Sequence, residues 1–255
     1  MSKILGIFGH WRVISLYMSK REWLTTMQKV FVGRSDKSQF RYSIYRGAKM
    51  LKKAKRCIKK EPMPSSLEKE FKENGLESLL EGVYQRTAEL LEDNKDAGKA
   101  KMAHLEQILP SIAFYEALLV KEGSQEKALA VFEKWCFIKI EKMAKWIPVM
   151  MKIPGLYKKV PGIMRFMLDR IFGHAAGFDY TEKERENGFA VDMTVCPYVE
   201  TCKKYGCPEL TQFFCKSDDI CYGNMHPKLI WGRTKTLGMG GDCCDFSLWI
   251  KNESK

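Results

Sequence analysis

The chain has 255 residues, enough for one large domain or two small ones with a substantial apolar core. Its formal net charge of +12 is concentrated at one end, because residues 1–60 hold 16 Lys and Arg against two acidic residues. No window has the ~18 uninterrupted apolar residues of a membrane span, and no nucleic-acid motif accompanies the basic segment. The nine cysteines are an odd number, and no clear cleavage site follows the apolar start, so we expect reduced thiols in the cytoplasm.

Apolar residues recur at helical spacing over about 39–60, which predicts a helix whose other faces are basic. Such charge is most often a solvated face, but it also suits an anionic membrane surface or an acidic partner. We therefore predict a basic helical N-terminal segment over 1–63 and a main domain over 64–255. Contact of the first segment with a membrane surface or an acidic partner stays open.

Helical patterns continue from residue 64 to about 175. The expected helices span about 65–92, with weak points at Gly75 and Gly82, then about 99–121 and 124–146. Pro110 is expected to kink the second of these helices or to open its second half. His104, on the same helix, is expected to be a hydrogen-bonded helix residue rather than a metal ligand.

Residues 146–172 combine four methionines with three prolines, Pro148, Pro154 and Pro161, which are expected to break the helix repeatedly. A broken, methionine-rich segment can repack around a variable ligand or partner. More often it is an irregular apolar connection. A loop is predicted over about 173–188.

The last quarter of the chain holds seven of the nine cysteines. Alternating and β-branched residues predict strands at 189–195, 229–237 and 244–250, with a hairpin turn at Gly240-Gly241. Prolines begin short helices at 197 and 208. We predict an α+β fold in which a helix-rich scaffold packs with a small antiparallel sheet in the cysteine-rich unit, residues 189–250.

The spacing of these cysteines contains no CxxC pair, so zinc ribbons and the common iron–sulfur patterns do not fit. No cofactor is predicted, although a metal site assembled from distant residues stays open. A nucleophilic or proton-transfer site fits better. Cys196 lies where a strand meets a helix N-terminus, and a helix dipole there is expected to lower the thiol pKa.

Other polar residues of the unit could complete such a site. Glu200 lies one turn beyond Cys196 and could act as a base. Cys244-Asp245 opens the last strand directly after a glycine turn, from which side chains can reach a cleft. Arg233 and Thr234, on the neighbouring strand, could hold a substrate carboxylate.

The arrangement of these residues resembles the L-2-amino-thiazoline-4-carboxylic acid hydrolase family over about residues 100–250. The matching elements are Cys196-x-Tyr198-x-Glu200, Gly206-x-Pro208-Glu209-Leu210, Cys215-x-x-Asp218, Pro227-x-Leu229, Arg233-Thr234-x-Thr236-Leu237, Gly240 and Cys244-Asp245-Phe246. The resemblance implies a hydrolase that opens 2-amino-thiazoline-4-carboxylate to N-carbamoyl-cysteine on a route to L-cysteine. Three positions depart from the expected pattern, Val195, His226 and Ser247, which leaves a different substrate open.

Carried over residue by residue, the resemblance implies catalytic roles for Cys196, Glu200, Cys244 and Asp245, and substrate binding by Tyr198, Cys215, Asp218, Arg233 and Thr234. Either a carboxylate, Glu200 or Asp245, would activate water, or a thiol, Cys196 or Cys244, would attack first. The expected partner is a small-molecule substrate, and a homo-oligomer stays open. The competing interpretation is a non-enzymatic domain that binds a small ligand, a metal or haem.

Overall fold

A computed structural model describes residues 37–252, with side chains described from residue 47 onward. Its contacts divide the chain into two units, Met1–Lys49 and Met50–Lys255, and the following account concerns the second. Most of the basic N-terminal segment lies outside the described residues, so its contact with a membrane surface or an acidic partner stays open. None of the described helices is long and apolar enough to cross a membrane.

The described residues form nine α-helices and one four-stranded antiparallel sheet, which confirms the predicted α+β class. In chain order the helices are α1 Lys37–Lys60, α2 Pro62–Glu73, α3 Glu77–Asp93, α4 Lys99–Glu122, α5 Gln125–Cys136, α6 Ile138–Met150, α7 Leu156–Phe172, α8 Pro197–Lys204 and α9 Thr211–Tyr222. The strands are β1 Asp179–Lys183, β2 Gly188–Val195, β3 Leu229–Gly232 and β4 Cys244–Ile250, arranged in the order β1-β2-β4-β3.

Helix α4 lies at the centre of the larger apolar core. Its buried residues cover several faces, as expected for a helix surrounded by others. Phe114 meets Phe71 of α2 edge to face, with ring centroids 5.0 Å apart, and Tyr115 packs on Phe132 of α5. The helix continues through Pro110, so of the two predicted outcomes, a kink or an opened second half, the second is wrong. This core fixes α4 as a rigid wall for the site described below.

The sheet forms a second, smaller core against α7. Along β2 the buried residues alternate, Phe189, Val191 and Met193, which gives this strand one apolar face. In the register with β4, Val191 lies opposite Phe246 and Met193 opposite Cys244. The same face of β4 therefore continues the apolar surface of β2.

Three local predictions differ from the structure. Strand β1 lies in the segment predicted as a loop; four of its five residues are exposed, so it lacks the alternation that identifies a strand. The predicted strand 229–237 ends at Gly232 and is followed by a 3-10 turn, Leu237–Met239. Between 146 and 172 the chain leaves the helix only at residues 151–155, because α6 includes Pro148 and α7 includes Pro161.

Candidate functional site

A cavity of about 380 Å³ lies between the sheet and the helices. One face of β2 and β4 forms its floor, and the walls come from α4, α7, α9 and the start of α8. Most of the lining is apolar or aromatic, with a small number of polar groups, as in typical small-molecule sites. The chemistry of the cavity therefore rests on those polar groups.

Strand alternation decides which residues of β4 reach the cavity. Cys244 and Phe246 line it, whereas Asp245 between them does not. The Asp245 carboxylate instead accepts hydrogen bonds from the backbone N–H groups of Thr234, at 2.9 Å, and Lys235, at 2.8 Å. The hydroxyl of Thr234 donates to the same carboxylate at 2.5 Å. The hydrogen bonds of Asp245 with Thr234 and Lys235 thus fix the loop between β3 and β4.

Helix α9 contributes Cys215, Asp218 and Tyr222, whose spacing of three and four residues puts them on one helix face. Asp218 is 39% exposed, and it is one of the cavity-lining residues. Arg233 follows β3 in the chain, and its Nη1 lies 3.4 Å from an Asp218 carboxylate oxygen. Nη2 of Arg233 pairs with Asp219 and donates to the backbone carbonyl of Cys215 at 2.7 Å.

Burial raises the pKa of Asp218 to about 7, and the neighbouring Asp219 contributes to the rise. The Arg233 guanidinium acts in the opposite direction, but it is shared with Asp219 and meets Asp218 at a long distance. Asp218 therefore changes protonation near neutral pH. A group in a cavity with this property can both accept and return a proton.

Three thiols, Cys196, Cys215 and Cys244, line the same cavity. Burial raises the pKa of Cys196 to about 12 and that of Cys244 to about 11. The N–H groups of Val199 and Tyr198 offset part of the rise at Cys196, although the thiol forms no N-cap hydrogen bond. The predicted lowering of the Cys196 pKa is wrong, because burial outweighs the helix N-terminus.

A hydrogen-bonded group joins α4 to α8 at the cavity wall. Nε2 of His104 lies 2.7 Å from the carbonyl oxygen of Ile171, so this nitrogen carries a proton and donates. Burial lowers the pKa of His104, which favours the neutral ring with an accepting Nδ1. That nitrogen lies 3.1 Å from the hydroxyl of Tyr198, and Oε1 of Gln107 lies 3.1 Å from the same hydroxyl. The Tyr198 hydroxyl has one proton to donate, so it hydrogen-bonds one of these two acceptors at a time and lies within reach of both.

A sequence model of the L-2-amino-thiazoline-4-carboxylic acid hydrolase family matches residues 99–248, more than half of the chain. The chain belongs to this family. Neither a curated protein nor a solved structure matches the chain. The segment shared with the hydrolase family begins with α4 and ends within β4, so it contains every element that lines the cavity.

Five of the nine site residues predicted from the sequence line this cavity of the hydrolase-family fold. They are Cys196, Tyr198, Cys215, Asp218 and Cys244. The other four do not: Glu200 is exposed on α8, Thr234 and Asp245 bind each other, and Arg233 pairs with two aspartates. Arg233 borders a separate open groove beside Asp219.

His104 and Gln107 were not predicted as site residues, yet both line the cavity. His104 has the two hydrogen bonds expected of a buried helix residue, and its ring also forms part of the wall. Their spacing of three residues puts them on one face of α4, which the sequence could have indicated. Their contact with Tyr198 depends on the fold. Among the described residues, no group of three His, Cys, Asp or Glu side chains is arranged to hold a metal ion.

Proposed function

We propose that this protein is a hydrolase that opens a small cyclic amidine thioether, with Asp218 as the group that transfers protons. The observation that carries the proposal is the Asp218 carboxyl group, which lines a mostly apolar cavity where burial raises its pKa to about 7. Membership of the L-2-amino-thiazoline-4-carboxylic acid hydrolase family supports the type of ring. Glu200 and Asp245, which the sequence suggested as bases, lie away from the cavity.

The two buried thiols are not activated as thiolates, so we assign the attack to water assisted by a base. With a pKa of about 12, Cys196 has about one thiolate in 10⁵ molecules at pH 7, and Cys244 has about one in 10⁴. Asp218, in contrast, is about half ionised at that pH. Its carboxylate would take a proton from water as the water oxygen attacks the ring carbon between nitrogen and sulfur.

The remaining steps return that proton. The bond between the attacked carbon and sulfur breaks, and its electron pair leaves with sulfur as a thiolate. One hydrogen of the water reaches the sulfur through Asp218, and the other reaches the ring nitrogen. The product is an N-carbamoyl compound with a free thiol. Tyr198, whose own proton is donated to Gln107 or His104, would offer its hydroxyl oxygen as an acceptor to the N–H groups of the tetrahedral intermediate.

The charges around the cavity suggest which substrate of this class is preferred. The lining contains no Lys or Arg from the described residues, and the guanidinium of Arg233 is already bound by Asp218 and Asp219. A carboxylate placed in the cavity would lose its hydration without gaining a cationic partner. We therefore infer that a thiazoline without the 4-carboxylate, or with that group esterified, is the better substrate.

The experiment compares three compounds with purified protein: 2-amino-thiazoline-4-carboxylate, its methyl ester, and 2-amino-2-thiazoline. Mass spectrometry follows the addition of one water, and a thiol assay follows ring opening. We expect turnover with a kcat/KM about ten-fold or more higher for the two compounds without the carboxylate. Preference for the free carboxylate would contradict the inference about charge. An absence of ring opening for all three would contradict the hydrolase proposal.

The apolar lining also favours a second candidate, binding of an apolar ligand without chemistry. Native mass spectrometry of freshly purified protein, followed by organic extraction, would reveal such a ligand. Under this alternative the ligand remains intact, and Asp218→Asn binds it as well as the unchanged protein does. Under the hydrolase proposal the same substitution abolishes ring opening.

A further inference from the structure

The large exposed apolar side chains are concentrated on two helices that follow one another in the chain, α6 and α7. Among the described residues ten such side chains are exposed, and eight of them lie between residues 143 and 167. Trp146 is 68% exposed and Phe166 is 63% exposed. We name the exposed apolar side chains of residues 143–167, on α6, α7 and the turn between them, the α6–α7 surface. A concentration of this kind marks an interaction site rather than the scattered apolar residues of an ordinary surface.

The charge around this surface is mainly positive, although the exposed Glu141 lies directly before Lys142 in the chain. Residues 142–170 contain seven Lys and Arg and a single acidic residue, Asp169, which accepts a hydrogen bond from Tyr180. Five lysines, Lys142, Lys145, Lys152, Lys158 and Lys159, are exposed and form no ion pair with another described residue. Their ammonium groups are therefore free to bind anions.

We propose that the α6–α7 surface docks this protein on an anionic lipid bilayer. Exposed Trp, Phe, Met and Ile side chains insert at the level of the headgroups, where an amphipathic ring such as Trp is favoured. Lysine side chains extend their apolar stems along the same surface and reach the lipid phosphates. Unpaired lysines flanking apolar residues match an anionic lipid surface more closely than a protein surface, which would supply acidic side chains at fixed positions.

The docked surface adjoins the cavity through α7. This helix presents Ile163 and Phe166 outward, while Met164 and Leu168 line the cavity. Met167 belongs to both sets, because it lines the cavity and is 36% exposed. Docking on a bilayer thus brings the α7 wall of the cavity to the lipid. The proposal does not depend on the reaction catalysed in the cavity.

The test is co-sedimentation of the full chain with vesicles of phosphatidylcholine containing phosphatidylserine, and with vesicles of phosphatidylcholine alone. The double variant Trp146→Glu, Phe166→Glu is compared with Val120→Glu, Met239→Glu, which changes the two other large exposed apolar residues and adds the same charge. All four positions are at least half exposed, so we expect both variants to fold, as circular dichroism would verify. The first variant should lower the partition coefficient about ten-fold or more, and the control about two-fold or less.

Because residues 1–60 are also basic, a second measurement locates the contact. Vesicles with brominated acyl chains quench tryptophans that insert, and Trp146→Phe should bind equally well while losing a quenched component. Equal loss of binding in the two double variants, or unchanged quenching in Trp146→Phe, would overturn the proposal. So would self-association that disappears only in Trp146→Glu, Phe166→Glu without any vesicle binding, since a second copy of the chain would then cover the surface.

Discussion

Two carboxyl groups in the C-terminal half of the chain, Glu209 and Asp218, are both partly removed from water but have opposite pKa shifts. Burial alone would raise the pKa of Glu209, yet hydrogen bonds from Tyr115 at 2.5 Å and Gln125 at 2.7 Å lower it. Asp218 has no comparable donors and faces Arg233 at 3.4 Å, so burial raises its pKa to about 7.

The difference between these two sites indicates a structural role for Glu209 and a chemical role for Asp218. Glu209 joins the central helix α4 to the turn before α9 as a fixed carboxylate whose Oε1 accepts two hydrogen bonds. Asp218 lines the cavity, and among its described contacts only one carboxylate oxygen has a partner, Arg233 at 3.4 Å. Perturbed groups of the second kind are the ones found in active sites. Substitutions of Asp218, of Glu209 or of the charged neighbours of Asp218 therefore test this difference.

The largest expected effect is the loss of ring opening in Asp218→Asn. An amide of similar shape cannot accept and return a proton, so we expect kcat/KM to fall about 10²–10⁴-fold. Glu200→Gln, which changes the exposed carboxylate suggested by the sequence, should stay within about three-fold of the unchanged protein. A large loss in Glu200→Gln with little loss in Asp218→Asn would reverse the assignment.

The second effect concerns stability and has its origin at Glu209. Glu209→Gln removes charge-assisted hydrogen bonds from Tyr115 and Gln125, so we expect the free energy of unfolding at pH 7 to fall by about 1–3 kcal/mol. Because the pKa of Glu209 is lowered in the folded state, this contribution is present at neutral pH and is lost as the pH falls through the acidic range. Urea unfolding at pH 7 and pH 4 measures the difference, and an equal cost at both values would contradict the account.

The third effect is a displacement of the pH profile. Ionised Asp218 is the proposed base, so kcat/KM should rise with pH through about 7. Removing the positive charge in Arg233→Gln should move that rise to higher pH, and Asp219→Asn should move it to lower pH, each by roughly half a unit to one unit. Displacements in the same direction for both variants would show that neither acts through the charge on Asp218.

Much of the fold around these two carboxyl groups could be predicted from the sequence, and each wrong prediction has a physical cause. Helix periodicity and strand alternation predicted the helical scaffold and most of the sheet. The alternation rule also excludes a cavity that receives both Cys244 and Asp245, because adjacent strand residues point to opposite faces. Applied strictly, the rule would have left only one of these two neighbours as a candidate.

Other features of the site depend on contacts that no local pattern contains. His104 meets Tyr198 across 94 positions of the chain. The pKa of Cys196 follows from the depth of the cavity rather than from its place at a helix N-terminus, since burial raises it more than the backbone N–H groups lower it. Similarly, Arg233 could not be recognised as the partner of two aspartates until β3 was placed beside α9.

The smallest expected effect returns to Asp218 and its influence on stability. Its folded pKa of about 7 exceeds the ordinary value of 3.8, so between these values the unfolded chain releases a proton that the folded protein retains. Stability from this group is complete at low pH and is lost as the pH rises through about 7. Asp218→Asn removes that loss, and at pH 7.5 we expect it to stabilise the fold by on the order of 1 kcal/mol, allowing for solvent in the cavity. The gain should vanish as the pH falls to about 3, below the ordinary value of 3.8, where Asp218 is mostly neutral in the folded and the unfolded protein, and thermal unfolding at pH 7.5 and pH 3 measures it. A stabilisation that is the same at both would mean that packing, and not the buried charge, distinguishes Asp218 from Glu209.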